Sequence, residues 1–134
     1  MRRDFMLPEA DVDHLQALGR PWEAVVEGGA QWLLVHGWPL PASYNHPSVS
    51  IAVRIEAGYP EAQLDMVYVL PHLARADGLA INNLTNQSID GKDWQRWSRH
   101  RTNTNPWRPG VDDLAAHLFL VDDWFAREFM KRAA

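Results

Sequence analysis

Hydrophobic residues in this chain follow two different periods, and the change between them divides it. Val49, Ile51, Val53 and Ile55 alternate with Ser50, Ala52 and Arg54, the period of two that marks a strand with one buried face. Residues 64–70 are more continuously apolar and read as a fourth, more central strand. Upstream, residues 22–27 and 30–36 read as two strands around Gly28-Gly29, a two-residue hairpin signal. The stretch 37–42, with Gly37, Pro39 and Pro41, is expected to break this pair, and Gly58-Tyr59-Pro60 marks a turn. Helical spacing appears at both ends. Val12, Leu15 and Leu18 share a face, Pro8 suits the first turn and Gly19 can end the helix. Residues 111–132 are the clearest helix: Leu114, Leu118, Val121 and Phe125 form a stripe, Asp112 and Asp113 sit in the first turn, and Lys131 and Arg132 lie at the end, matching the helix dipole.

Between Pro71 and Pro109 the periodicity fails, and Asp77-Gly78, Asp90-Gly91, Asn105-Pro106 and Arg108-Pro109 punctuate the stretch. A loop this long is usually functional or disordered, and its tryptophans argue that much of it is ordered. The predicted order is helix, four-stranded antiparallel meander, long structured loop, helix: an α+β fold.

Composition narrows the function classes. A sequence of 134 residues, 46% hydrophobic and 22% charged, is expected to form a single domain with a proper core. A net charge of −4 argues against a bulk polyanion binder. No run approaches the roughly 18 apolar residues of a membrane span. Arg2 and Arg3 precede no apolar segment of the kind a signal peptide needs. Cysteine is absent, which removes disulfides, thiolate metal ligands and thiol nucleophiles together and fits a cytoplasmic protein. Seven tryptophans bring large rings whose N–H groups each need a partner.

Several segments, taken in order, carry a resemblance. Ile55-Glu56-Ala57-Gly58-Tyr59-Pro60 is followed by Leu64-Asp65-Met66-Val67-Tyr68-Val69, a strand, a Tyr-Pro turn and another strand. Downstream, Trp94-Gln95-Arg96-Trp97-Ser98-Arg99-His100-Arg101 precedes Asn105-Pro106-Trp107-Arg108-Pro109, which leads into Val111-Asp112-Asp113-Leu114. This set resembles the ubiquitin-conjugating (E2/UBC) superfamily. The tryptophan-rich part looks specifically like the bacterial E2-like group called prokaryotic E2 family E, over about residues 7–128. The resemblance implies an E2-type fold and, as partners, a ubiquitin-like protein, an E1-like adenylating enzyme and an isopeptidase encoded nearby. No cofactor is expected. E2 enzymes carry their cargo on a cysteine just upstream of the tryptophan-x-proline element, usually after His-Pro-Asn. Here His46-Pro47 is the one His-Pro and precedes the third strand. Measured back from Trp107, the cysteine's place falls near residues 97–101, and thioester transfer is out of the question.

Ser98 and His100 stand there. Serine needs a base within hydrogen-bond reach, and two-residue spacing puts both side chains on one face only in extended backbone. Ser98 is therefore a candidate oxyester acceptor with His100 as base; Arg99 and Arg101 are candidates to stabilise charge developing on a carbonyl oxygen. The bland alternative has Ser98 capping a turn and His100 bonding backbone. Ser88, Thr102 and Thr104 are lesser hydroxyl candidates. An E2 uses an asparagine near its cysteine, and Asn82 or Asn83 has that place in order, although Asn-Asn is common turn chemistry. Arg96, Arg99, Arg101 and Arg108 interleave with Trp94, Trp97 and Trp107 over residues 92–108, a composition that suits single-stranded nucleic acid or an acidic protein partner. The acidic net charge of the whole protein and the expected burial of the rings argue against nucleic acid. The alternative is that the tryptophans anchor the loop while the arginines face water or pair with Asp112 and Asp113. The six histidines are scattered with no close helical pair, so no metal site is expected; a meeting of His72 with Asp77 is the weakest of these possibilities. Glu9, Asp11, Asp13 and His14 are expected on the outer positions of the first helix. Three readings stay open: an oxyester-forming E2-like transferase, a non-catalytic adaptor for a ubiquitin-like protein or E1-like enzyme, and an RNA-binding module.

Overall fold

A computed structural model describes residues 1–130. It contains α1 (Glu9–Leu18), β1 (Trp22–Glu27), β2 (Ala30–Pro39), β3 (Ser48–Ile55), β4 (Val67–Leu70), β5 (Leu84–Ile89), β6 (Lys92–Trp97) and α2 (Leu114–Met130). Lys131 and Arg132, expected at the end of α2, lie outside the described residues. The strands form one sheet in the order β1-β2-β3-β4-β6-β5, with antiparallel neighbours throughout. The α+β class holds, with six strands in place of the expected four. The two additional strands lie inside the stretch read as irregular. They are joined by Asp90-Gly91, both at positive φ (55° and 72°), the backbone of a two-residue type I′ hairpin turn. Gly28 and Gly29 make the same turn between β1 and β2, with φ of 57° and 79°. β2 does not break at Gly37. A register shift between Val35 and Trp38 absorbs the glycine, and pairing resumes at Trp38 with Val49.

Both helices pack on one face of the sheet. Leu15 of α1 and Leu114, Leu118, Val121 and Phe125 of α2 meet Leu33, Val35, Ile51, Val53, Val67 and Val69 in the larger core. The stripe read from sequence in α2 is therefore its buried face. The helix starts at Leu114, three residues later than expected. Asp113 caps it, its Oδ1 accepting the Ala116 N–H at 3.1 Å, while Asp112 turns back to Arg108.

The opposite face carries a second, smaller core of Val25, Trp32, Leu34, Ala52, Tyr68, Ile89 and Trp94. In a flat six-stranded sheet the two edges would stand about 24 Å apart. Here the β5–β6 turn touches residues at the far edge. Arg2, beside β1, forks onto Asp90 at 2.8 and 2.6 Å, and the Asp90 N–H donates to Glu27 at 2.7 Å. The sheet is therefore strongly curled, which shields the small core.

Candidate functional site

The resemblance and the spacing both point to the segment leaving β6. β6 is buried on both faces: Trp97 points into the helix-side core and Trp94 into the smaller one. Each indole N–H finds a partner. Trp97 donates to Gln95 Oε1 at 2.9 Å and Trp94 to the Ile89 carbonyl at 3.2 Å. Both tryptophans are structural anchors with no ring face open to a base, and Trp107 alone of the three is half-buried. Trp107 stands beside Tyr59 and donates to the Pro60 carbonyl at 3.0 Å, fastening the Tyr-Pro turn to the segment before α2.

At Ser98 the strand turns. The Arg99 N–H donates to the Trp97 carbonyl, two residues back, at 2.9 Å, and the Ser98 N–H donates to the Asn83 carbonyl. The two-residue spacing therefore does not run through extended backbone, and the Ser98 hydroxyl and His100 ring do not hydrogen-bond. His100 is turned instead to Asp65, with Nδ1 at 2.7 Å from Oδ2, and the Arg101 N–H donates to Asp65 Oδ1. A carboxylate at Nδ1 fixes the tautomer and leaves Nε2 as the acceptor, the orientation a general base needs. Asp65 is a partner the sequence reading missed.

The arginines of this stretch go to separate places. Arg99 is buried against Glu128 of α2 at 2.7 Å, donates to the Asn82 carbonyl at 3.0 Å and lies over Trp97. Arg101 donates to the Leu64 carbonyl and to His117 Nδ1, at 3.0 and 3.1 Å, and stacks on Trp107. Arg108 pairs with Asp112 at 2.9 Å. Arg96 alone of the four has no ion pair or hydrogen-bonded oxygen among the described residues. Asn82 is exposed, and its carbonyl is what meets Arg99.

His117, which the sequence reading left as one scattered histidine, is fully buried. It donates from Nε2 to the Met66 carbonyl at 2.9 Å. Burial pushes it down to about 4, so it is neutral at pH 7. Asp11 corrects a second expectation. It is buried (2% exposed) and accepts from the Tyr59 hydroxyl at 2.5 Å and the Leu114 N–H at 3.3 Å. Polar residues in an N-terminal turn usually face water, but this carboxylate joins α1, the Tyr-Pro turn and the start of α2. His72 donates to the Asp93 carbonyl at 2.9 Å, whereas Asp77 pairs with Arg75. Among the described residues no three His, Asp or Glu side chains gather as a metal site.

The sequence model of prokaryotic E2 family E matches residues 7–128, from before α1 to the last turns of α2. The protein belongs to prokaryotic E2 family E. It matches no curated protein and no solved structure. Membership gives this E2-like protein an E2-like role without a cysteine to perform it. Among the described residues no helix is long and apolar enough to cross a membrane.

Proposed function

We propose that this protein is the E2-like component of a ubiquitin-like conjugation pathway, receiving the modifier on the Ser98 hydroxyl as an oxyester. The family match over residues 7–128, in a sequence with no cysteine, carries this reading. Its partners are a ubiquitin-like protein and an E1-like adenylating enzyme. In the transfer step Ser98 Oγ attacks the modifier's activated C-terminal carbonyl and the new C–O bond forms. The bond to the E1-like enzyme's leaving group breaks, and the serine proton passes to His100 Nε2. Asp65 at 2.7 Å stabilises the imidazolium that results. Arg99 and Arg101 act as positioning residues, because each is held by internal partners.

One observation favours a second reading, the non-catalytic adaptor. Without a hydrogen bond between Ser98 and His100 the serine is not activated in the unbound protein, although such bonds often tighten only in the complex. Intact-mass spectrometry after incubation with the ubiquitin-like protein, the E1-like enzyme and ATP separates the two. A thiol-resistant, base-labile adduct that is lost in Ser98→Ala supports the oxyester. An adduct that survives the substitution moves the chemistry elsewhere. Absence of any adduct with active partners, together with a stable noncovalent complex, supports the adaptor.

A further inference from the structure

We propose that the groove on the outer face of the sheet binds a carboxylate carried by a peptide segment, with Arg96 as its anchor. The inference does not depend on the conjugation reading. Arg96 sits in mid-β6, directly cross-strand from Tyr68 of β4 and Thr85 of β5. It shares its face with Trp94, Trp32 and Tyr68, where a guanidinium is out of place unless something meets it. Its Nε is buried without a hydrogen-bond partner, and its Nη2 reaches only the Met66 sulfur, at 3.7 Å. A donor left unmade is costly, and among the described residues no oxygen holds any nitrogen of this half-buried guanidinium, so its groove-facing end is open to a ligand. Arg99 Nε also lacks a partner, but the rest of that guanidinium is already held by Glu128 and the Asn82 carbonyl. Arg101 and Arg108 are held by Leu64 and His117, and by Asp112.

Arg96 opens into a groove of about 590 Å³ that Arg54, Tyr68 and Gln87 also line. Burial pushes the Tyr68 hydroxyl above its ordinary range while Arg96 and Arg54 pull it back, so both guanidiniums act on that oxygen. Charge selects the ligand. Arg54 has Glu56 at 3.7 Å, and His100 has Asp65 at 2.7 Å. Arg96 itself has no carboxylate within ion-pair distance among the described residues. That matches a monoanionic carboxylate, which a guanidinium can grip with two N–H groups. A phosphate dianion would meet Glu56 and Asp65 at the rim. Gln87 uses its amide N–H₂ on the Ser88 carbonyl at 3.2 Å, which leaves Oε1 to accept a peptide N–H. The carboxylate can come from the C-terminus of a peptide or from an acidic side chain.

The test is NMR titration of the ¹⁵N-labelled full-length protein, following the Arg96 Nε–H and the backbone amides of Tyr68 and Gln87. The probes are acetyl-Gly-Gly with a free carboxylate, its C-terminal amide, acetyl-Glu-Gly amide and inorganic phosphate. The expected result is a saturable shift with one or both carboxylate peptides, none with acetyl-Gly-Gly amide, and weaker binding of phosphate. Whichever carboxylate peptide binds identifies the source. Arg96→Gln is expected to weaken binding at least about tenfold with near-ultraviolet circular dichroism unchanged. If that variant loses its tertiary signal, Arg96→Lys replaces it, keeping the charge but losing the fork, and the same weakening is expected. The proposal is overturned if no carboxylate peptide shifts these resonances at about 10 mM, or if acid and amide bind alike. It is equally overturned if phosphate binds as tightly, or if the folded Arg96 variant binds like the parent.

Discussion

Replacing Tyr59 with phenylalanine removes a single hydroxyl and tests the joint between both helices and the turn after β3. That hydroxyl donates to Asp11 Oδ2 at 2.5 Å, and the other donor to this carboxylate is the Leu114 N–H at 3.3 Å. The ring itself stays in place beside Trp107, 6.1 Å between centroids, so packing is nearly unchanged. What is lost is a hydrogen bond to a buried carboxylate. Bonds to charged groups contribute about 1.5–3 kcal/mol net, and the longer remaining contact places the cost in the upper part, about 2–3 kcal/mol. With a urea slope of about 1.5 kcal/mol/M, the unfolding midpoint at pH 7 falls by about 1.3–2 M. Tryptophan fluorescence reads this directly.

The pH dependence supplies a second check with a definite sign. Burial pushes the Asp11 carboxyl above its ordinary value, and the Tyr59 hydrogen bond pulls it back. A carboxyl whose folded pKa is raised adds stability that is fully present below its unfolded pKa of about 4 and is lost as pH rises through the folded value. Removing the hydroxyl raises the folded value further. The deficit of Tyr59→Phe is therefore largest at neutral pH and shrinks as acid protonates Asp11. A midpoint change under about 0.3 M at pH 7, or a deficit that grows on acidification, would refute the joint as described.

Other substitutions test the remaining contacts. Trp97→Ala empties a fully buried indole site in the helix-side core and is expected to cost about 3–5 kcal/mol, seen as a thermal midpoint lowered by about 10–20 °C. Glu128→Gln removes the charge facing Arg99 and is expected to cost about 2–3 kcal/mol in urea unfolding. Burial of that pair makes the loss nearly independent of salt between low and physiological ionic strength. His117, pushed down by burial to about 4 from an ordinary 6.5, contributes stability present above pH 6.5 and lost as pH falls toward 4. His117→Gln is expected to remove that part of the slope, which urea midpoints at pH 7, 5.5 and 4.5 detect.

The parts of the fold that one face or one turn dictates were legible. β3 alternates because one face is more buried than the other, and Ile51, Val53 and Ile55 point to the helices as their spacing predicts. The helical stripe of α2 and the Gly28-Gly29 turn were legible for equally local reasons. β6 was not, because it is buried on both sides and each side mixes polar with apolar residues. Gln95 lies on the helix side with Trp97, its amide satisfied by Leu73 on both atoms. Trp94 and Arg96 share the other side. Hydrophobicity therefore does not alternate, although the backbone is a strand. β5 is an edge strand carrying Thr85, Asn86, Gln87 and Ser88, so it has little apolar signal at all.

The candidate site was legible as a location and not as an arrangement. Arg108 and Asp112 are four residues apart and pair on a rule that spacing can supply. Asp65 is 35 residues from His100 and Glu128 is 29 from Arg99, distances that only the folded sheet and helix close. As composition, residues 92–108 look like one basic, aromatic binding strip. As structure, the strip comes apart because a strand sends successive side chains to opposite faces and the turn at Ser98 redirects those that follow. Arg99 goes to α2, Arg101 to the turn before β4, Arg108 to Asp112 just ahead of α2, and Arg96 to the outer groove. Three of the four are held by internal oxygen acceptors, and the fourth meets none among the described residues. A positive charge in this fold is thus informative about partners in proportion to what it lacks, and by that measure Arg96 outranks the three arginines that flank the serine or follow it.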